Sequence, residues 1–159
     1  MCKLYKLYFL LFFSSAYAAC NKLPGTMICE NGIEPAINAN GNVILKHVHV
    51  TGDTTVKGQL FVENSKLLKL EIFGFLQAQN TTFLGPVTIW SNQAKITGGS
   101  AKNIRISGNS AGQTSLILAG DLTVNGDISF SGDAGVVLVD NQVHLMGKVI
   151  GGVVKKTGG

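Results

Sequence analysis

Three Gly-Asp pairs stand six residues apart in the second half of the chain, at residues 120–121, 126–127 and 132–133. The segments between them are short and alternate apolar with polar side chains, as in residues 122–124 and 128–130. Short strands bounded by turn residues at a fixed step are typical of a parallel β-helix, in which each coil stacks on the previous one. A β-sandwich or jelly roll also uses short strands and glycine-rich turns, but it gives no reason for the six-residue step.

The alternating pattern begins upstream, at residue 43, and is repeated along the chain. Residues 54–58 and 81–85 share a Thr-Thr-apolar-x-Gly sequence, and residues 66–74 resemble 101–108. Glycine is abundant (20 of 159 residues) and only 14% of residues are charged, which argues against a coiled coil and against a disordered chain. We therefore predict an all-β, single-domain, right-handed parallel β-helix, or β-solenoid, over residues 43–154. At roughly 18–22 residues per coil it would have about 5–6 coils; a β-sandwich is the alternative.

The first 19 residues have the features of a cleaved secretory signal. Lys3 and Lys6 precede an apolar run at residues 7–13, and Ala16-Tyr17-Ala18 supplies the small-residue cleavage pattern. The apolar run is shorter than the ~20 residues that a membrane-spanning helix needs. We expect cleavage near Ala18 and export to the periplasm, the outer surface or the extracellular space.

Two cysteines remain after such a cleavage, Cys20 and Cys29. A pair of cysteines in an exported chain is normally bridged, so we predict a disulfide between them. The alternative is a lipid anchor on Cys20, with Tyr17 at a position where lipoproteins usually carry an aliphatic residue. Residues 20–42 have two prolines and little periodicity, and we expect an irregular cap or linker there. Residues 155–159 are expected to form a flexible tail.

The sequence from Gly120 to Ile128, Gly-Asp-Leu-Thr-Val-Asn-Gly-Asp-Ile, with Val50-Thr51-Gly52 and Val56-Lys57-Gly58 upstream, resembles the bactofilins. These are bacterial β-helical proteins that polymerise into scaffolds. The resemblance extends over residues 48–150 and implies a β-helical fold and self-association. The signal sequence departs from the family, whose members generally lack one.

Candidate chemistry is sparse. His47 and His49 are two residues apart on a predicted strand, which would place both rings on one face and offer two ligands to a metal ion. Asp121, Asp127 and Asp133 would fall on successive faces and would not converge on one ion. Trp90, Phe75 and Phe83, with Phe73, could stack on sugars if they are exposed. No nucleophile elbow or phosphate loop occurs, so we predict a protein that is not an enzyme and needs no cofactor, with a carbohydrate-active enzyme as the less favoured alternative.

Charge and strand ends suggest the partners. The formal net charge of +4 includes two signal lysines and is dispersed, so nucleic acid is not an expected partner. We expect an open strand edge that supports self-assembly near the C-terminal end of the β-helix. The residues of this edge are Val149, Ile150, Val153 and Val154. The sequence thus predicts a structural, self-assembling or cell-surface protein. The alternative is an adhesin-like or carbohydrate-binding module that uses a lateral β-face.

Overall fold

A computed structural model describes residues 16–108, 112–132 and 135–158, and these contain strands and no helix. The strands are β1 (Ala19–Leu23), β2 (Thr26–Glu34), β3 (Ile37–Asn40), β4 (Asn42–Lys57), β5 (Leu60–Glu63), β6 (Lys66–Phe73), β7 (Leu76–Phe83), β8 (Val87–Trp90), β9 (Gln93–Ala101), β10 (Ile104–Ile106), β11 (Thr114–Val124), β12 (Ile128–Phe130), β13 (Gly135–Val139), β14 (Val143–Leu145), β15 (Val149–Ile150) and β16 (Gly152–Lys156).

Strand pairing confirms the predicted parallel β-solenoid and excludes the β-sandwich. Every strand pair is parallel except β1 with β2. Each coil has three faces. Face A contains β5, β13 and β16, face B contains β14, and face C contains β3, β8, β10, β12 and β15. Longer strands turn a corner without interruption, so that β4 contributes to all three faces through its pairing with β3, β5 and β6.

Inward side chains form ladders along one continuous core. On face A, Val43 and Leu45 lie in register with Leu60 and Val62, and these lie in register with Leu76 and Ala78. All six are at most 3% exposed. The alternation of buried and exposed residues along each strand follows from the two-residue period of the β conformation. Burial of such ladders supplies most of the stability of a solenoid.

The solenoid has about seven turns rather than the 5–6 expected. Successive coils in the first half are shorter than expected: His47 and the stacked Asn64 are 17 residues apart, and Asp53 and Lys69 are 16 apart. The coils lengthen later, and Asn103 and Asp127 are 24 residues apart. The shorter and the longer coils offset each other, and the additional turn comes from residues 26–42, because β2 and β3 pair in parallel with β4 and so belong to the stack.

Residues 20–42 differ from the irregular cap that we expected, because they form β1–β3. β2 pairs in parallel with β4 and so belongs to the stack, while β1 folds back antiparallel on β2. The predicted disulfide is present. Cys20 and Cys29 are directly opposite in this antiparallel pair, with 4.0 Å between their Cα atoms. Gly25 lies in the turn between β1 and β2 and Gly41 in the turn between β3 and β4, and both have positive φ.

The two ends of the chain can be compared with the expectations only in part. Residues 1–15 of the predicted signal lie outside the described residues. The remaining residues of that predicted signal, 16–19, contact the first coil, since the Ala18 amide donates to the Ile33 carbonyl at 3.1 Å. At the other end β16 continues through Lys156, so the predicted flexible tail is a strand at its first two residues. In the described ranges, no helix is long and apolar enough to cross a bilayer.

One inward position carries a polar side chain that lacks a hydrogen-bond partner. Thr54 on face C is 1% exposed, and its Oγ1 has no partner. A buried hydroxyl without a partner loses its hydrogen bonds to water and gains none from the protein. Thr54→Val keeps the shape of the side chain, so we expect it to stabilise the protein by about 1 kcal/mol. Urea denaturation checks this value, and a loss of stability would show that the hydroxyl is satisfied in solution.

Candidate functional site

The corner between faces A and B carries a ladder of left-handed residues. Asn31, His47, Asn64 and Asn80 have φ between 47° and 54°. Asparagine tolerates this conformation because its short amide can bond to the local backbone. Next to two of these residues stand Ser65 and Thr81, which are buried and donate to the carbonyls of Glu63 and Gln79. The corner is thus a structural element of the coil, and His47 occupies an asparagine position in it.

The two histidines line one groove, but His47 is itself the corner residue and His49 follows it on face B. His47 is exposed, and its Nε2 lies 3.4 Å from the Nδ2 of Asn64. His49 is half-buried and lies beside Lys66 in strand register. Within the described part of the chain, no three histidine, cysteine or acidic side chains come together in a way that could hold a metal ion. The groove also contains Lys66, and the positive charge of this lysine repels a metal ion.

Two acidic side chains accept hydrogen bonds from the backbone of a neighbouring coil. Asp127 accepts from the Lys148 amide at 2.8 Å. Asp140 accepts from the Gly120 amide of the neighbouring coil at 2.7 Å, and also from the Gln142 amide of its own turn at 2.9 Å. Asp121 is exposed in β11, and Asp133 lies outside the described residues. Asp127 and Asp140 therefore tie turns to each other, as acidic turn residues commonly do.

An aromatic pair stands on the outside of face C. Phe73 and Trp90 occupy the same position in successive coils, with ring centroids 5.7 Å apart and planes inclined by 2°. Both are substantially exposed, Phe73 by 40% and Trp90 by 46%. The indole Nε1 of Trp90 donates to Oε1 of Glu71 at 3.3 Å, which fixes the orientation of the ring.

A groove runs from Trp90 toward the C-terminal end of face C. Its volume is about 450 Å³. We call it the Trp90 groove, and its lining residues are Thr88, Trp90, Arg105, Ser107, Gly108 and Ser131. Arg105 projects outward between the buried Ile104 and Ile106. The Ser131 hydroxyl donates a hydrogen bond to Oγ of Ser107, at 2.7 Å.

The other two predicted aromatic residues are elsewhere. Phe83 is 2% exposed and belongs to the core, so it does not meet the condition of exposure on which its role in sugar stacking depended. Phe75 is half-buried and packs on Phe61, with ring centroids 6.3 Å apart. Only Trp90, of the three residues predicted for ligand binding, faces the groove. Sequence reasoning missed Arg105 and Ser131, although the outward position of Arg105 between two isoleucines was a usable signal.

The last coil leaves apolar side chains uncovered, some of them at inward positions and some at outward positions. We call this the end surface and define it by Met146, Val149, Ile150, Val153 and Val154. Val154 lies in register with Val137 on face A, yet it is 45% exposed, whereas Val137 is fully buried. Ile150 and Val153 are 52% and 55% exposed, and they stand at outward positions, in register with Ser129 and Val136. Four of these five residues are those that the sequence predicted for the self-assembly edge.

No protein-family model, no curated protein and no solved structure matches this chain. The resemblance to bactofilins therefore stands at the level of the β-solenoid fold alone.

Proposed function

We propose that the mature chain is an exported, non-enzymatic structural protein that associates through its end surface with a second copy. The signal-like start of the sequence and the Cys20–Cys29 disulfide support export, because disulfides form and persist in oxidising compartments. The proposal places the protein outside the cytoplasm as a short, rigid β-solenoid.

The observation that carries the proposal is the exposure of the core at the last coil. On face A the inward column of Leu116 and Val137 is fully buried until it reaches Val154. On face C the inward column of Ile104 and Ile128 is buried until it reaches the half-buried Val149. Removal of such apolar surface from water is favourable by about 25 cal/mol per Å².

Backbone groups at the end surface support the same proposal. Within the described residues, β14, β15 and β16 each pair along one edge only, with β11, β12 and β13. An unpaired edge is a template for another strand. Lys155 and Lys156 limit the area that can pair, because lysines on an edge strand oppose association. The pairing region would therefore centre on residues 149–154.

The first coil does not offer a matching edge on face A. There β1 covers the N-terminal edge of β2 as an antiparallel strand held by the disulfide. A head-to-tail fibre would need that edge to be free. We therefore propose a contact between like ends, which closes into a two-fold dimer.

Sedimentation across a concentration series of the purified mature protein tests this proposal. We expect a reversible shift from the monomer mass to twice that mass as concentration rises. A strict monomer at every concentration would overturn self-association, and unlimited growth into filaments would overturn the closed dimer.

A second candidate function is favoured by the Trp90 groove, and it is ligand binding on a lateral β-face. The supporting observation is the exposed stack of Phe73 and Trp90 beside the outward Arg105. Aromatic side chains bury large areas when they contact a partner, and they are enriched at binding surfaces. This function is compatible with the end-to-end dimer, because the groove and the end surface involve different residues.

A further inference from the structure

The outer column that contains the aromatic pair is interrupted at the next coil. Lys57, Phe73 and Trp90 stand at one position in successive coils. The next residue in that column is Ser107, which follows Ile106, the partner of Ile89. Adjacent strands are about 4.8 Å apart, so a third ring would stack directly on Trp90. The small serine leaves that space open, and the Trp90 groove occupies it.

The walls of the open space are polar and carry one positive charge. Thr88 and Ser131 place hydroxyl groups along the groove. Arg105 is exposed, and no acidic side chain in the described ranges lies within 4.0 Å of its guanidinium. Glu71, the acid on the neighbouring part of face C, is bonded to the indole of Trp90. The guanidinium is thus available for a ligand.

We propose that the Trp90 groove binds a saccharide that carries a carboxylate, such as a unit of a uronic-acid polymer. This inference rests on the second candidate function and specifies its ligand class. The C–H face of a pyranose ring stacks on the electron-rich face of the indole, since the aromatic quadrupole is negative there. The carboxylate accepts two parallel hydrogen bonds from Arg105, in the geometry that guanidinium favours. Sugar hydroxyls bond to Thr88 and Ser131.

The dimensions and charge of the groove favour such a ligand over a nucleic acid. A cavity of about 450 Å³ is within the size range of small-ligand sites. Binding of nucleic acid depends on several phosphate contacts from clustered cations. The groove supplies one guanidinium for this purpose, which matches one carboxylate. A negatively charged sugar ring is therefore the ligand that uses both the open indole face and the cation.

Intrinsic fluorescence tests the proposal directly, because Trp90 is the only tryptophan in the chain. The mature protein is titrated with trigalacturonate and, as a neutral control, with α-1,4-linked galactotriose. We expect the acidic saccharide to bind at least about tenfold more tightly, since a charge-assisted bidentate contact is among the stronger hydrogen-bonding interactions. Raising the salt concentration should reduce this difference.

Variants assign the effect to the groove. Arg105→Gln should remove the preference for the acidic saccharide, while Lys95→Gln, an exposed lysine on face A, should leave it unchanged. Trp90→Ala, followed by calorimetry, should abolish binding of both saccharides.

The outcomes separate this proposal from the more general one. Equal binding of both saccharides that is lost in Trp90→Ala would overturn the acidic ligand and leave a lateral carbohydrate site. Absence of binding by either saccharide would overturn both. Tighter binding of triuridylate than of trigalacturonate would overturn the saccharide in favour of nucleotide stacking.

Discussion

Gly58→Ala is expected to destabilise the solenoid by about 3–5 kcal/mol. Gly58 has φ of 149°, a conformation that residues with a side chain rarely adopt. It also stacks on Gly41 of the preceding coil. A Cβ at Gly58 would overlap the carbonyl oxygen of Gly41 and lie 2.7 Å from its carbonyl carbon. Both groups belong to the backbone, so the clash can be relieved only by separating two coils.

Gly132→Ala is the matched control for this prediction. Gly132 has the same φ of 149°, but a Cβ there meets no atom within 4 Å. The free energy of unfolding of Gly132→Ala should fall only by the cost of the unfavourable backbone conformation, about 1–2 kcal/mol. Urea denaturation followed by far-ultraviolet circular dichroism compares the two variants. Equal losses would show that close stacking of Gly58 on Gly41 does not limit the packing of the coils.

Val154→Lys is expected to weaken dimer formation by more than tenfold, because a charge would be moved from water into the centre of the end surface. The same substitution should change the free energy of unfolding of the monomer little, since Val154 is 45% exposed. Lys156→Val should have the opposite effect on association. Lys156 lies in register with the inward Val139, so its removal would extend the apolar column.

Sedimentation equilibrium of the two variants measures these changes. Lys95→Val removes the same charge from a middle coil of face A and should leave the dimer dissociation constant within about threefold of the original. Dimerisation of Val154→Lys with unchanged affinity would show that association does not use the end surface.

The fold was largely predictable because alternation and the six-residue step reflect local geometry. Gly120, Gly126 and Gly132 do mark successive corners, between the two parts of β11, between β11 and β12, and between β12 and β13. The number and start of the coils were not predictable. Asn31, His47 and Asn80 turn a corner in the left-handed conformation while β2, β4 and β7 continue through them. Such corners look like loops in a sequence.

The candidate site was predicted only in part, for a related reason. Each corner can change which residues of the next strand face inward, so alternation alone did not place Phe83 in the core and Trp90 outside. Arg105 and Ser131 come together across coils of unequal length, since Ser107 and Ser131 are 24 residues apart. Their proximity depends on register, which local sequence patterns do not reveal.

Small-angle X-ray scattering, on samples whose mass is measured in parallel, tests the structural role most directly. Seven coils at about 4.8 Å give a solenoid roughly 34 Å long. The account predicts that scattering from the dimer reports a particle about twice as long as the monomer and of the same width. A monomer at every concentration, or a dimer that is wider and no longer than the monomer, would contradict association through the end surface.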